Sequence, residues 1–184
     1  LKRPTKSVED IAQTVGDIFK EVKESGDIAV KKYTALFDGV NLDTLEVSLE
    51  EIKNAENLVS KELKNAIQQA KANIEVFHAA QKTERIAIET TKGVQCWQEK
   101  RPIEKVGLYI PGGTAPLFST VLMLATPANI AGCKEVILCS PPDKKGEINP
   151  AILYTAALCG VTKIYKVGGI QAIASFTFGT ETIP

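Results

Sequence analysis

An α/β fold is what this chain predicts, and three patterns carry the expectation. Residues 7–82 repeat their apolar positions at helical spacing, and residues 85–100 alternate with a period of two around a turn. From Lys105 onward, strand and helix signals alternate three times, strand first. That rhythm implies parallel strands joined by right-handed crossovers, with the carboxyl ends of the strands sharing one rim. The chain therefore divides into residues 1–104, helices plus a β-hairpin, and residues 105–184, a parallel βαβαβα unit.

The first helix opens at Ser7-Val8-Glu9-Asp10, which resembles a capping box, and carries Val8, Ile11, Val15, Ile18, Phe19 and Val22 on one face. Gly26 stands where glycine ends helices, and Asp27 is placed to cap the next one, with Val30, Tyr33, Leu36 and Phe37 as its buried stripe. Asp38-Gly39 marks a turn. Ser48-Leu49-Glu50-Glu51 is a capping box for a third helix carrying Ile52, Ala55, Leu58 and Val59. A fourth helix over 60–82 presents Leu63, Ile67, Ala70, Ile74 and Phe77. Arg85 to Thr90 and Val94 to Lys100 alternate around Lys92-Gly93 as a hairpin, and Arg101-Pro102 closes the region. Strands are then expected at 105–110, 135–140 and 163–167, and helices at 115–131, 147–159 and 170–178. Asn149-Pro150 supplies an N-cap and a proline at the first helical position. Three parallel strands covered on both faces are few for an independent domain.

Of the 184 residues 44% are hydrophobic and 24% charged, enough apolar material for one domain or two small ones. The 22 Lys+Arg balance 22 Asp+Glu, so charge offers no reason to invoke nucleic acid or an anionic membrane as partner. No secretory-signal pattern is read, and the most apolar segment, 121–133, is broken by Thr126, Pro127 and Asn129. Cys96, Cys133, Cys139 and Cys159 form no C-x-x-C pair and are expected as buried free thiols in a reducing cytoplasm. A start at Leu1 and a stop at Ile183-Pro184 read as a piece of a longer polypeptide.

Two glycine turns hold the chemistry. In Tyr109-Ile110-Pro111-Gly112-Gly113 a strand ends, the chain turns and an apolar helix follows. Val167-Gly168-Gly169-Ile170-Gln171 repeats that order. Both read either as tight strand-to-helix connections or as backbone cradles that bring N–H groups and a helix N-terminus to a nucleotide. The pattern G-x-G-x-x-G is absent, and the end of the second strand holds Ser140-Pro141-Pro142, where a dinucleotide fold would place a carboxylate for the ribose. Tyr109 is either a core tyrosine or a ligand contact through its ring and hydroxyl. Gln171 is either a solvated helix residue or an amide donor to the same ligand. His78 is the single histidine, with no second imidazole for a metal, and Cys139 has no neighbouring base to make it a nucleophile.

The stretch GLYIPGGTAPLFSTVLMLATPANIAGCKEVILCSPP resembles the signature of the L-histidinol dehydrogenases. The segments LKRPT, YTALFDG, NIEVFHAAQK, AALCGV and VGGIQAIASFTFGTETIP extend the likeness over essentially the whole chain. The resemblance implies incomplete Rossmann-like domains of aldehyde dehydrogenase-like architecture, and an intertwined, cytoplasmic homodimer. It implies oxidation of L-histidinol through the aldehyde to L-histidine, with NAD and zinc as cofactors. The NAD-contacting tyrosine and glutamine of the family fall on Tyr109 and Gln171. The family's third NAD contact, its zinc ligands and its Glu-His acid-base pair have no positions in these residues. The 184-residue chain is therefore expected to carry no catalytic or metal-binding residue, and to be inactive alone. The alternative is a non-catalytic nucleotide-binding or assembly module of the same fold.

Overall fold

The computed structural model describes residues 8–113 and 115–184. Its elements are α1 (Val8–Asp38), α2 (Leu49–Leu58), α3 (Lys61–Ala79), β1 (Ile86–Thr91), β2 (Val94–Gln98), β3 (Lys105–Tyr109), α4 (Phe118–Ala131), β4 (Glu135–Ser140), α5 (Pro150–Leu158), β5 (Lys163–Lys166) and α6 (Gly169–Phe178). The expected capping box at Ser7 lies outside the described residues.

Strands β3, β4 and β5 form one parallel sheet in that order, with Tyr109 level with Cys139 and Ser140 level with Lys166. Because side chains alternate along a strand, each strand feeds two cores. Leu108, Val136, Leu138 and Ile164 face one side, where α4 and α5 lie, with α2 and α3 packed outside them. Ile137, Cys139 and Tyr165 face the other, where α6 packs against α1. Residues 45–47 run along the outer edge of β5: the Val47 N–H donates to the Ile164 carbonyl at 2.8 Å and the Lys166 N–H to the Leu45 carbonyl at 2.7 Å. That covers backbone groups which an open edge would leave unpaired.

The helices start where side chains can cap them. Ser48 Oγ accepts from the Glu51 N–H at 3.1 Å, and Glu51 Oε2 accepts from the Ser48 N–H at 2.9 Å, so the expected box is complete. Glu51 also takes Lys166 Nζ at 2.5 Å, tying the start of α2 to the end of β5. Burial alone would raise the Glu51 pKa, but Lys166 and Ser48 outweigh it and hold the carboxyl below its ordinary value. This stabilisation is therefore present above the ordinary carboxylate range and is lost as pH falls through the lowered value. Ser48→Ala is expected to cost about 1 kcal/mol in chemical denaturation of the intact protein, with no change in cofactor affinity.

Gly26 divides α1 into the two expected helical arms by a backbone of φ 50° and ψ −129°. A side chain there would be strained, and its Cβ would fall 2.3 Å from a Glu181 carboxylate oxygen. The expected cap is corrected here. Glu181 Oε2 accepts from the Asp27 N–H at 2.8 Å, whereas the Asp27 carboxylate takes the Thr182 hydroxyl. Long-range contact with the 179–184 segment has displaced the local cap.

Apolar periodicity marks the helices correctly and overstates what they bury. Ile11, Leu36, Phe37, Leu58 and Phe77 are exposed, while Ile18, Val22, Val30 and Ile67 are buried. The hairpin pairs as expected, Ile88 with Cys96 and Ala87 with Trp97, but every residue of both strands is exposed. Its cysteine is exposed too, and Cys133 is intermediate; Cys139 and Cys159 are the buried thiols.

Candidate functional site

At the carboxyl rim of the sheet the two glycine turns meet around one residue. Pro141, just past β4, sits between them: a Cβ on Gly112 would lie 2.5 Å from its Cγ, and a Cβ on Gly168 would lie 2.5 Å from its Cβ. Glycine at 112 and 168 is thus explained by the proline ring, which fills the space a Cβ would take. Gly113 differs, with nothing within 4 Å of its would-be Cβ, and its backbone is open to the rim. Gly169 has φ 59°, the left-handed conformation that favours glycine, and it begins α6.

Tyr109, half-buried at the end of β3, joins the two turns. Its hydroxyl oxygen accepts from the Gly169 N–H at 3.0 Å. A phenol that accepts in this way keeps its own O–H proton for a second partner. Gln171, in the first turn of α6, is fully buried, and neither its amide nitrogen nor its amide oxygen has a hydrogen-bond partner within the protein. A buried amide without partners costs free energy, so this side chain fits a site that gains a ligand.

The helix starts reinforce that fit. Helices α2, α3 and α5 are capped by Ser48, Ser60 and Asn149. The helices that follow the glycine turns, α4 from Leu117 and α6 from Gly168, have no side-chain cap. The Gly169 N–H is taken by the Tyr109 hydroxyl and the Thr120 N–H by the Leu117 carbonyl, and the other first-turn N–H groups could meet an anion such as a pyrophosphate. A cleft of about 490 Å³ opens beside the first glycine turn, lined by Pro111, Gly112, Gly113, Pro141, Pro142 and Asn149, with Asp38 at the end of α1; Tyr109, Gly169 and Gln171 are not part of its lining.

Burial raises the Cys139 thiol far above its ordinary value, which disfavours the reactive thiolate. His78 lies outside the rim, its Nδ1 3.0 Å from Gln81 Oε1, beside Lys82, Lys100 and Arg101. Among the described residues no group of three His, Cys, Asp or Glu side chains is arranged for a metal ion. Sequence reasoning missed Pro141 and Asp38. The run Ser140-Pro141-Pro142 carried a signal, since two prolines beside two glycine pairs in one rim suggest a wedge, but Asp38-Gly39 reads only as a turn.

An open parallel sheet with glycine turns, uncapped helix starts and a cleft at its carboxyl rim places the chain among α/β proteins that take their ligand at that rim. The family model for histidinol dehydrogenase matches residues 1–184, and the chain belongs to that family. It is 58% identical over 184 residues to histidinol dehydrogenase of Bacteroides thetaiotaomicron. It is 55% identical over 185 residues to that of Escherichia coli K12. These alignments cover 100% of this chain but 43% and 42% of the two relatives, so the chain spans less than half their length. The crystal structure of histidinol dehydrogenase from Elizabethkingia anophelis superposes with a TM-score of 0.95 at 57% identity, covering 100% of this chain and 42% of that one.

Proposed function

We propose that this chain supplies the NAD-binding part of a histidinol dehydrogenase that oxidises L-histidinol, through L-histidinaldehyde, to L-histidine. The observation that carries the reading is the Tyr109 bridge to Gly169 beside the unpartnered amide of Gln171. Tyr109 would hold the dinucleotide by a hydrogen bond from its O–H, Gln171 would do so through its amide, and the free first-turn N–H groups of α4 and α6 would hold the pyrophosphate. NAD would supply the hydride acceptor for the oxidation. Buried apolar side chains under the rim, Ile110 and Val167 among them, exclude water from its floor.

Among the described residues no group of three His, Cys, Asp or Glu side chains is arranged to hold the zinc that the resemblance implies. The resemblance implies a cytoplasmic homodimer for the enzyme as a whole. The division at 104/105 is one of sequence pattern alone, since α2 and α3 share a core with α4 and α5, and α1 shares one with α6.

Calorimetric titration of the intact protein with NAD⁺ tests the reading. Tyr109→Ala is expected to weaken NAD⁺ binding about tenfold or more and to leave the KM for histidinol near its starting value. An NAD⁺ affinity unchanged by Tyr109→Ala would overturn the assignment.

A further inference from the structure

A second cleft, of about 480 Å³, lies between the end of α3, the two arms that lead into and out of the hairpin, and the end of α4. Because α4 starts at the rim and runs back to the start of β4, this cleft sits at the other end of the sheet from the glycine turns. Its lining carries His78, Lys82, Lys100 and Arg101 and no Asp or Glu. The chain as a whole matches 22 Lys+Arg with 22 Asp+Glu, so the imbalance is local.

Neighbouring carboxylates are engaged elsewhere. Glu99 pairs with Arg85 at 3.5 Å and Glu104 with Lys134 at 3.1 Å. Among the described residues Lys82, Lys100 and Arg101 form no ion pair. Cations beside helix ends commonly serve the last carbonyls, but both of these ends close on backbone. The Ala80 N–H donates to the Val76 carbonyl at 3.3 Å and the Gln81 N–H to the His78 carbonyl at 3.1 Å. At the end of α4 the Gly132 N–H donates to the Asn129 carbonyl at 3.0 Å and the Cys133 N–H to the Ala128 carbonyl at 3.1 Å. Lys100 Nζ donates instead to the Thr83 hydroxyl at 2.5 Å. His78 Nδ1 lies 3.0 Å from Gln81 Oε1, which leaves Nε2 for another partner.

Cations gathered in one cleft without a counter-charge repel one another, and a bound anion turns that repulsion into attraction. Pro102, Pro127 and Ile130 add apolar surface to the lining, and the volume falls in the range of small-molecule sites. We propose that this cleft binds the phosphate monoester of a small organic molecule. Lys82, Lys100 and Arg101 hold the dianion, the Arg101 guanidinium gripping two of its oxygens, while Pro127 and Ile130 meet the organic group. A carboxylate would bring half the charge to the same cations. The proposal is independent of the NAD-binding reading, which concerns the opposite end of the sheet.

Calorimetric titration of the intact protein with phenyl phosphate, inorganic phosphate and benzoate tests the site. Phenyl phosphate is expected to bind about tenfold more tightly than either of the others, since inorganic phosphate lacks the apolar contact and benzoate the second charge. Replacing two exposed residues together, Lys100→Gln with Arg101→Gln, is expected to weaken phenyl phosphate about tenfold or more and to leave NAD⁺ affinity unchanged. Phenyl phosphate should also bind undiminished when NAD⁺ is present at saturation, a readout that needs no variant. Absence of binding to the wild-type protein, or wild-type affinity in the double variant, would overturn the proposal. Displacement of phenyl phosphate by NAD⁺ would place it at the cofactor rim and overturn it equally. Equal affinity for phenyl phosphate and inorganic phosphate would defeat the assignment of an organic ester.

Discussion

Gly168→Ala is expected to destabilise the intact protein by about 3 kcal/mol in chemical denaturation, at the upper end of the range for an overfilled interior. Conformational freedom is not the reason, because Gly168 has φ −111°, which any residue adopts. Contact is the reason: the new Cβ would lie 2.5 Å from Pro141 Cβ and 3.1 Å from Pro141 Cα. A backbone atom cannot swing aside, so β4 and β5 must separate at their carboxyl ends. Gly112→Ala meets the same residue differently. Its Cβ would lie 2.5 Å from Pro141 Cγ but 3.6 Å from Pro141 Cβ. Truncation to Pro141→Ala therefore relieves Gly112→Ala and leaves most of the cost of Gly168→Ala. A pair of double-mutant cycles reads this as strong coupling at 112 and weak coupling at 168. Gly113→Ala, with nothing within 4 Å, is the control and should be near neutral for stability. No rescue of Gly112→Ala by Pro141→Ala would mean that Pro141 is not the wedge.

The contrast among these glycines shows what could be read before the structure and what could not. Adjacent glycines after a strand announce a turn, and both turns lie where that signal puts them, at the ends of β3 and β5. What the glycines leave room for depends on Pro141, which is 29 residues from Gly112 and 27 from Gly168, and no local pattern connects them. Helix starts were legible for the same local reason, since a Ser and a Glu three residues on satisfy each other's backbone donors at Ser48 and Glu51. Asp27 failed that logic because its partner, Thr182, arrives from the far end of the described chain. The helical stripes gave the correct faces but not their depth: Ile67 is fully buried and Phe77, ten residues along α3, is 65% exposed. Periodicity reports which side of a helix is apolar, whereas burial also needs a neighbour. Tyr109 and Gln171 could be singled out from their places beside glycine turns. That one hydroxyl spans both turns, and that one amide is sealed without partners, are facts of tertiary geometry.

Gln171→Met separates binding from folding because the two effects carry opposite signs. The swap nearly conserves side-chain volume and removes both the amide nitrogen and the amide oxygen, each buried with no partner in the protein. Leaving a polar group buried and unsatisfied costs about 1–3 kcal/mol, so the unliganded variant is expected to gain roughly 2 kcal/mol of stability. The same change deletes the hydrogen bonds that Gln171 is proposed to make to NAD⁺, and binding is expected to weaken about tenfold. Thermal or denaturant unfolding without ligand, followed by titration with NAD⁺, reads the two quantities independently. The stabilising shift from added NAD⁺ should shrink in step with the lost affinity, because ligand stabilisation depends on concentration relative to Kd. A purely structural glutamine predicts a different pair of outcomes, with stability lower and affinity untouched. Gln171 lies against Gly169, where a Cβ would sit 2.9 Å from its Oε1, so a residue kept for packing would suffer from the change. Gain of stability together with loss of NAD⁺ affinity is the signature of a side chain held at a folding cost for the ligand it meets.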